Sequence, residues 1–233
     1  MLGVIVNAVA VIIGGTVGSF LKKGLPEKIT SAIMIAIGLC VMYIGISGSL
    51  NGGNTLVLIV SMVFGTAIGS LIDIDDKLNK LGNWAEKKLN RGDGKIKIAE
   101  GFITGSLLFC VGSMTVVGSL NAGMLHDNEM LYIKSLLDFI SSTMLAATFG
   151  IGVALSSVLI FVLQGSMVLL AQQLSGFLTD SAIAQMTCVG SVIIVALSLN
   201  MIGLSKFKVA NFMPAIILAP IFNWLISLLP FSI

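Results

Sequence analysis

Residues 40–53 read CVMYIGISGSLNGG, and this stretch returns at residues 110–123 as CVGSMTVVGSLNAG. Seven of the fourteen positions are identical without a gap: the Cys-Val pair, the Gly-Ser-Leu-Asn run and the closing Gly. A weaker third copy, with one extra residue, occupies residues 188–203 as CVGSVIIVALSLNMIG. Recurrence of this kind indicates one structural unit used several times. The sequence therefore predicts repeat helices at residues 29–53, 98–123 and 182–203.

The composition indicates that these helices lie in a lipid bilayer. The chain is 56% hydrophobic and only 10% charged, and its 233 residues contain several charge-free runs of more than 20 residues. A hydrocarbon core about 30 Å thick needs roughly 20 apolar residues per helix. The 26 glycines favour close helix packing in lipid. We predict a single integral membrane domain over residues 1–233, an all-α polytopic transmembrane helix bundle.

The apolar runs predict about seven or eight membrane segments. The first has no basic residue before it and is followed by Lys22 and Lys23, which is typical of a retained helix with an external N-terminus. The run from Leu136 to Leu178 is too long for one helix, so we place one break in the stretch that holds Gly150-Ile151-Gly152 and Ser156-Ser157; either half could be re-entrant. Pro214 and Pro220 should kink or interrupt the last segment. The predicted segments are 2–21, 29–50, 55–73, 98–121, 136–154, 157–176, 182–203 and 209–229.

Residues 75–97 form the one substantial polar segment, with seven Lys or Arg and four acids. Leu78, Leu81, Trp84, Ala85 and Leu89 recur at helical spacing, which predicts a cytoplasmic amphipathic helix lying on the membrane surface. It either anchors the connection or binds lipid or a partner.

The repeat symmetry depends on the side that Lys206 and Lys208 face. If they are cytoplasmic, the chain has eight spans and the third repeat points opposite to the first two. If all repeats are parallel, one segment does not cross. The sequence favours eight membrane segments and leaves seven full crossings open.

The repeat asparagines Asn51, Asn121 and Asn200 are the first candidate functional residues. Their amide oxygens could coordinate a cation or accept hydrogen bonds from a solute. The alternative is a helix C-cap at the interface, which Asn next to Gly favours.

A second candidate group follows the predicted external loop: Asp138 with Ser141, Ser142 and Thr143, then the glycine break. A carboxylate entering the membrane, three hydroxyls and a helix break would suit a discontinuous helix that presents ligands to an ion. Asp138 lies four residues after Lys134, so a structural ion pair is the competing account. A third group comprises Gln164, Gln172, Gln173, Asn211 and Asn223, where single amides either bind substrate or bridge helices.

Several classes of function are disfavoured. With the segments placed as above, no span carries an acid or His near its centre, which argues against a carboxylate proton relay. No nucleophile–base pair, metal-ligand motif or phosphate loop is present, so we expect no enzyme and no cofactor. The three Cys lie in separate repeats and are interpreted as packing residues. A net charge of +2 does not suggest a nucleic-acid partner.

The chain resembles the DUF554 family. The likeness rests on residues 3–18, on the Gly-Ser-Leu-Asn copies, on Leu137-Asp138-Phe139 with Ser141-Ser142, and on Gln164-Gly165, and it covers essentially the whole chain. The resemblance implies a multi-pass protein of a prokaryotic plasma membrane. The family is loosely labelled a possible sodium channel or pump and supplies no established site residues.

Two functional hypotheses remain. The first is a channel or secondary transporter for a small ion, with a monovalent cation favoured. The second is a non-transporting scaffold or regulatory protein, which predicts a tightly packed interior and a partner bound through residues 75–97. The glycine-rich faces also suggest a homodimer in the lipid bilayer.

Overall fold

The structure is a computed structural model that describes residues 1–22, 27–50, 53–80, 98–110, 113–174 and 176–227. Within these ranges the regular structure is helical. In chain order the elements are α1 (Leu2–Lys22), α2 (Glu27–Leu50), α3 (Thr55–Ile72), α4 (Ile98–Cys110), α5 (Ser113–Met124), α6 (Glu129–Phe149), α7 (Gly152–Leu169), α8 (Ala171–Leu174), α9 (Asp180–Met201), a 3-10 helix (Val209–Phe212) and α10 (Pro214–Ser227). Residues 74–80 are also helical.

Seven helical segments of the described chain are long and apolar enough to cross a membrane, and the bent pair α4–α5 makes an eighth if it is counted as one span. Helices satisfy every backbone hydrogen bond internally, which lipid requires of a spanning segment. The predicted all-α polytopic bundle is confirmed, and α1, α2, α3 and α9 lie within two residues of the predicted segments at each end.

The fourth span is broken, which the sequence did not predict. Helix α4 ends at Cys110, α5 begins at Ser113, and the two are bent by 62°. Ile98, at the start of α4, contacts Gly152 at the start of α7, whereas Gly123 near the end of α5 packs against Val168 at the other end of α7 and against Ala171 just beyond it. The two ends of the pair therefore contact opposite ends of α7.

Helix α6 begins at Glu129, seven residues before the predicted segment. The expectation that no span carries an acid near its centre is therefore wrong, since Asp138 is close to the midpoint of a 21-residue helix. The break after α6 is confirmed at Gly150, whose φ of 79° lies in a region that favours glycine. The predicted break also included Ser156-Ser157, and that part is wrong because both residues lie inside α7.

The last span is interrupted as its prolines predict. A 3-10 turn, Val209–Phe212, precedes α10, and Pro214 is the first residue of that helix. This position tolerates proline because its N–H would have no helical partner. Pro220 lies inside α10.

The chain divides into two compact units. Unit 1 comprises Met1–Ile37, Asp76–Cys110 and Met114–Gln172, and unit 2 comprises Gly38–Asp75, Val111–Ser113 and Gln173–Ile233. The prediction of one membrane domain is not tested by this division. Both units interleave segments that are distant in sequence, so neither is a contiguous stretch of chain.

In unit 1, α1 packs against α6 and α7 through its glycines. Gly14 and Gly18 face Ser142 and Thr143 of α6, and Gly15 faces Ala154 of α7. At the other end of α1, the Gly3 N–H donates to Asn128 Oδ1 at 3.0 Å. Helix α1 therefore runs parallel to α6 and antiparallel to α7, and the predicted small-residue face of the first span is the surface that makes these contacts.

In unit 2, the first and third repeat copies pack against each other in opposite directions. Gly38 faces Ile202, Gly45 faces Val195, and Gly48 faces Ser191. In these three contacts the residue numbers rise along α2 while they fall along α9, so the two helices are antiparallel. This is the arrangement expected for eight spans, with the third copy inverted relative to the first. The repeat itself stays a prediction, because the middle copy is broken where the other two are continuous.

The structure also places the end of α3 and the segment after α9 at one end of unit 2. Lys208 Nζ forms an ion pair with Asp73, 3.0 Å from Oδ2. Asn211 Oδ1 accepts the N–H of Asp75 at 2.8 Å. Lys208 and the start of the basic segment are therefore on the same side of the membrane. Residues 81–97 of the predicted surface helix lie outside the described residues.

Candidate functional site

Buried polar side chains are concentrated in unit 1. Of the eighteen found among the described residues, thirteen belong to unit 1 and five to unit 2. Those of unit 1 are Asn7, Thr104, Ser106, Thr115, Ser119, Lys134, Ser135, Asp138, Ser142, Thr148, Ser156, Ser157 and Gln164. Because buried polar groups are expensive in lipid and usually line a functional interior, unit 1 is where a site should be sought.

A buried ion pair lies in the middle of α6. The Nζ of Lys134 is 2.9 Å from Oδ1 and 2.8 Å from Oδ2 of Asp138, and each residue is only 6% exposed. The two are one helical turn apart, so the helix itself holds them in register. Removing one partner of such a pair leaves an uncompensated buried charge, at a cost of about 3–5 kcal/mol. The ion pair proposed from sequence is present, and it is buried rather than at the membrane surface.

Two fully buried amides lie beside this pair and connect three helices. Asn7 of α1 donates through Nδ2 to Gln164 Oε1 of α7 at 3.3 Å, and its side chain also donates a hydrogen bond to Asp138. The Asn7 Oδ1 and Gln164 Nε2 atoms have no hydrogen-bond partner within the described chain. An unpaired buried amide group costs about 1–3 kcal/mol, so these atoms are available to a water, an ion or a solute.

The broken span adjoins the same cluster. Cys110, the last residue of α4, lies within electrostatic range of both Lys134 and Asp138. Thr115 in α5 donates through its hydroxyl to the Phe109 carbonyl at 3.1 Å and so satisfies one of the carbonyls that the end of α4 leaves open. Interrupted helices at membrane depth expose backbone dipoles that can stabilise an ion.

The break that meets the cluster is not the predicted one. Gly150 is 12 residues after Asp138, or roughly 18 Å along the helix at 1.5 Å per residue. The glycine break therefore ends α6 far from the carboxylate, and the interruption that lies near Asp138 is the one after Cys110.

The three hydroxyls after Asp138 differ in orientation. Ser142 is buried against Gly14, and its hydroxyl donates to the Phe139 carbonyl at 3.0 Å. Thr143 is half-buried and donates to the same carbonyl at 2.8 Å. Ser141 is exposed. Ser142 is therefore the one hydroxyl of the three that is fully buried, and it lies one helical turn after Asp138 on the same face of α6.

The described repeat asparagines lie in different units. Asn121 is half-buried in α5 of unit 1, and Asn51 lies outside the described residues. Asn200 belongs to unit 2, where its side chain closes the loop after α9: Oδ1 accepts from the Ser205 hydroxyl at 2.7 Å and from the Phe207 N–H at 2.9 Å. Its Nδ2 donates to the Phe207 carbonyl at 2.8 Å. The C-cap of α9 is Ile202, so Asn200 is not itself the C-cap; it lies in the last turn and its side chain binds the loop that follows.

Asn7 is the residue that sequence reasoning missed. It is an amide within a largely apolar first span, and no partner for it lies nearby in the sequence. Its partners Gln164 and Asp138 are 157 and 131 positions away, so only the fold brings them together. Other amides bridge segments as expected, since Asn223 accepts from the Ser181 hydroxyl at 3.2 Å.

Comparison with known proteins gives the family. The model of the family described as "Protein of unknown function (DUF554)" matches residues 2–224. The chain belongs to the DUF554 family. It is similar to the uncharacterized membrane protein YdfK of Bacillus subtilis, with 32% identity over 95% of both chains. It is also similar to the uncharacterized protein YqgA of Escherichia coli, with 30% identity over 94% of both. No solved structure matches the chain.

The family fits the architecture described above. The first relative is named as a membrane protein, and this chain has several apolar helices of spanning length. As a member of DUF554 the protein is therefore a multi-pass membrane protein.

Proposed function

We propose that this DUF554 protein is a channel or secondary transporter for a small ion, a monovalent cation, and that the ion crosses unit 1 beside the break between α4 and α5. The observation that carries the proposal is the buried Lys134–Asp138 pair with Asn7 and Gln164 next to an interrupted span. A bacterial plasma membrane is the location that goes with this function.

The cost of the cluster supports a functional role. A protein that only held helices together would lose stability by keeping two charges and unpaired amide atoms at this depth. Apolar residues of similar volume often stabilise such a position as well or better. A cluster of this kind is expected where ions or solutes bind.

The available ligands favour a cation. Asp138 provides a carboxylate, Asn7 an unpaired amide oxygen and Ser142 a hydroxyl. Oxygen atoms are the ligands preferred by hard cations such as alkali and alkaline-earth ions. A single carboxylate balances one positive charge, which favours a monovalent ion.

Two adjacent serines provide a matched test. In proteoliposomes containing the wild-type protein, we expect uptake of Na⁺, K⁺ or Li⁺ above that of empty vesicles. Ser142→Ala should reduce that uptake several-fold, because its buried hydroxyl lies one helical turn after Asp138 on the same face of α6, whereas Ser141→Ala on the exposed side should leave it unchanged. Equal effects of the two substitutions, or no uptake of any of the three ions by the wild type, would contradict the proposal. The second result would favour the scaffold.

A further inference from the structure

The carboxylate of Asp138 already binds a positive charge of the protein itself, the ammonium group of Lys134. Both carboxylate oxygens are within 2.9 Å of Lys134 Nζ, so the ammonium group lies where a bound metal ion would be shared between the two oxygens. The site is otherwise enclosed, since Asp138 and Lys134 are each 6% exposed and Asn7 and Gln164 are fully buried.

We propose that Lys134 is a built-in competitor for the substrate: its ammonium group and a free monovalent cation are alternative occupants of the Asp138 carboxylate. The inference rests on the proposed function. It adds that Lys134 keeps the site electrically neutral when no free cation is bound. It also explains why a carboxylate can be kept at this depth when no ion is bound.

Charge balance makes the two occupants exclusive. Asp138 and Lys134 together are neutral, and a second cation beside them would leave one uncompensated positive charge in an apolar interior. A free cation can therefore bind Asp138 only when the side chain of Lys134, the sixth residue of α6, swings away and carries its ammonium group toward the start of the helix and water. In the described spanning helices, every other charged residue is among the first three residues of its helix or is its last residue. No other acid in these helices is therefore placed to neutralise a second cation at the same depth.

The neighbours of Asp138 are consistent with this exchange. From the packed helices, Asn7 of α1 is the direct neighbour of Asp138, Gln164 of α7 lies behind Asn7, and Cys110 of α4 lies within electrostatic range. None of them is a second cation. The unpaired Oδ1 of Asn7 is fully buried in the same cluster and provides a further oxygen for an incoming ion.

Removing the charge of Lys134 should open the site. Lys134→Gln leaves the Asp138 carboxylate without its partner, so the protein should then depend on a free cation. Lys134→Gln with Asp138→Asn is neutral without any ion and should show no such dependence. Lys134→Arg keeps the resident positive charge and should behave like the wild type.

The test is thermal unfolding of purified protein in detergent, in NaCl, KCl or LiCl against choline chloride at the same ionic strength. One-site linkage predicts that the Tm of Lys134→Gln rises by about 3–6 °C for each tenfold increase in Na⁺, K⁺ or Li⁺ above the dissociation constant. Choline, which is too large for a site closed by four buried side chains, should give no such rise. An equal response to choline and to the alkali cations, or none to either, would overturn the proposal.

The proposal also predicts which variants fold. If Lys134→Gln can be recovered only in an alkali salt, the ion has replaced the ammonium, as expected. If it cannot be recovered in any salt while the double variant can, free cations do not replace Lys134 and the proposal is wrong. If neither variant can be recovered, the deciding measurement is the infrared difference spectrum of the wild type in Na⁺ against choline. We expect a shift of a carboxylate band that Asp138→Asn removes. The absence of this band shift in the wild type would overturn the proposal.

These measurements are independent of ion flux. A cation-dependent Tm in vesicle-inactive protein would leave the competition in place and remove the transport function. Ion flux that depends on Asp138, without any cation-dependent stability in Lys134→Gln, would remove the competition and leave the transport function in place.

Discussion

The Nδ2 atom of Asn7 in the first helix lies 3.3 Å from the Oε1 atom of Gln164 in α7, and both side chains are fully buried. This contact closes the polar cluster around Asp138 from the side of α1. It is also the longest-range side-chain contact of the cluster, with 157 positions between the two residues.

Asn7→Leu is expected to lower stability by about 1–3 kcal/mol, because it leaves the Gln164 amide without any partner. Asn7→Leu with Gln164→Leu should cost less than the sum of the two single substitutions, since apolar groups then meet each other. Thermal unfolding of the three variants in one detergent measures the coupling. Simple additivity would mean that the two amides do not interact.

Ion uptake by the double variant separates packing from function. A variant with restored stability but lost uptake is the expected result, because the oxygen of Asn7 is gone. Restored uptake would mean that the amides serve only to hold the helices.

Gly18→Ala should destabilise unit 1, because a Cβ atom at this position would meet the backbone carbonyl of Thr143. Overpacking of this kind costs about 1–3 kcal/mol. Gly165→Ala is the matched control, since the nearest atom to its added Cβ is the flexible Met1 Cε at 3.8 Å. Equal Tm values for Gly18→Ala and Gly165→Ala would contradict the close contact of α1 with α6.

The ion pair between Lys208 and Asp73 predicts the sidedness of the loop after α9. Lys206→Cys and Lys77→Cys, each in a background without the three native cysteines, should react with a membrane-impermeant maleimide from the same side. The positive charge of residues 75–97 indicates that this side is the cytoplasm. Labelling from opposite sides would exclude the antiparallel packing of α2 and α9.

Asn200→Ala should reduce stability without changing uptake per folded molecule. Its amide makes three hydrogen bonds to the loop that follows α9, so its loss is expected to cost about 1–3 kcal/mol. Unfolding measurements beside uptake normalised to folded protein distinguish the two effects. A selective loss of uptake would restore Asn200 as an ion ligand.

Much of the fold could be predicted because lipid makes hydropathy informative. Charge-free runs located α1, α2, α3 and α9, and Gly150 and Pro214 marked real interruptions. The start of α6 is predicted too late because the fifth predicted segment, 136–154, leaves Lys134 in the preceding loop. A Lys and an Asp one turn apart neutralise each other, so the helix can contain both within the membrane.

The site was only partly predictable. Asp138, Ser142 and Gln164 were identified as candidates, but the broken helix beside them was not. Gly112 follows Cys110-Val111, and Gly190 follows Cys188-Val189, yet α9 is continuous through Gly190 while α4 ends at Cys110. A local sequence shared by a broken and an unbroken helix cannot itself predict the break, because tertiary packing decides it.

The central claim is that a cation passes Asp138, and it is tested most directly by comparing two carboxylates that each bind a lysine. Asp138 is buried in unit 1, whereas Asp73 is paired with Lys208 at an exposed end of unit 2. In proteoliposomes matched for folded protein, Asp138→Asn should abolish alkali-cation uptake and Asp73→Asn should retain it. Uptake that survives Asp138→Asn, or that is lost equally in both variants, would contradict the account.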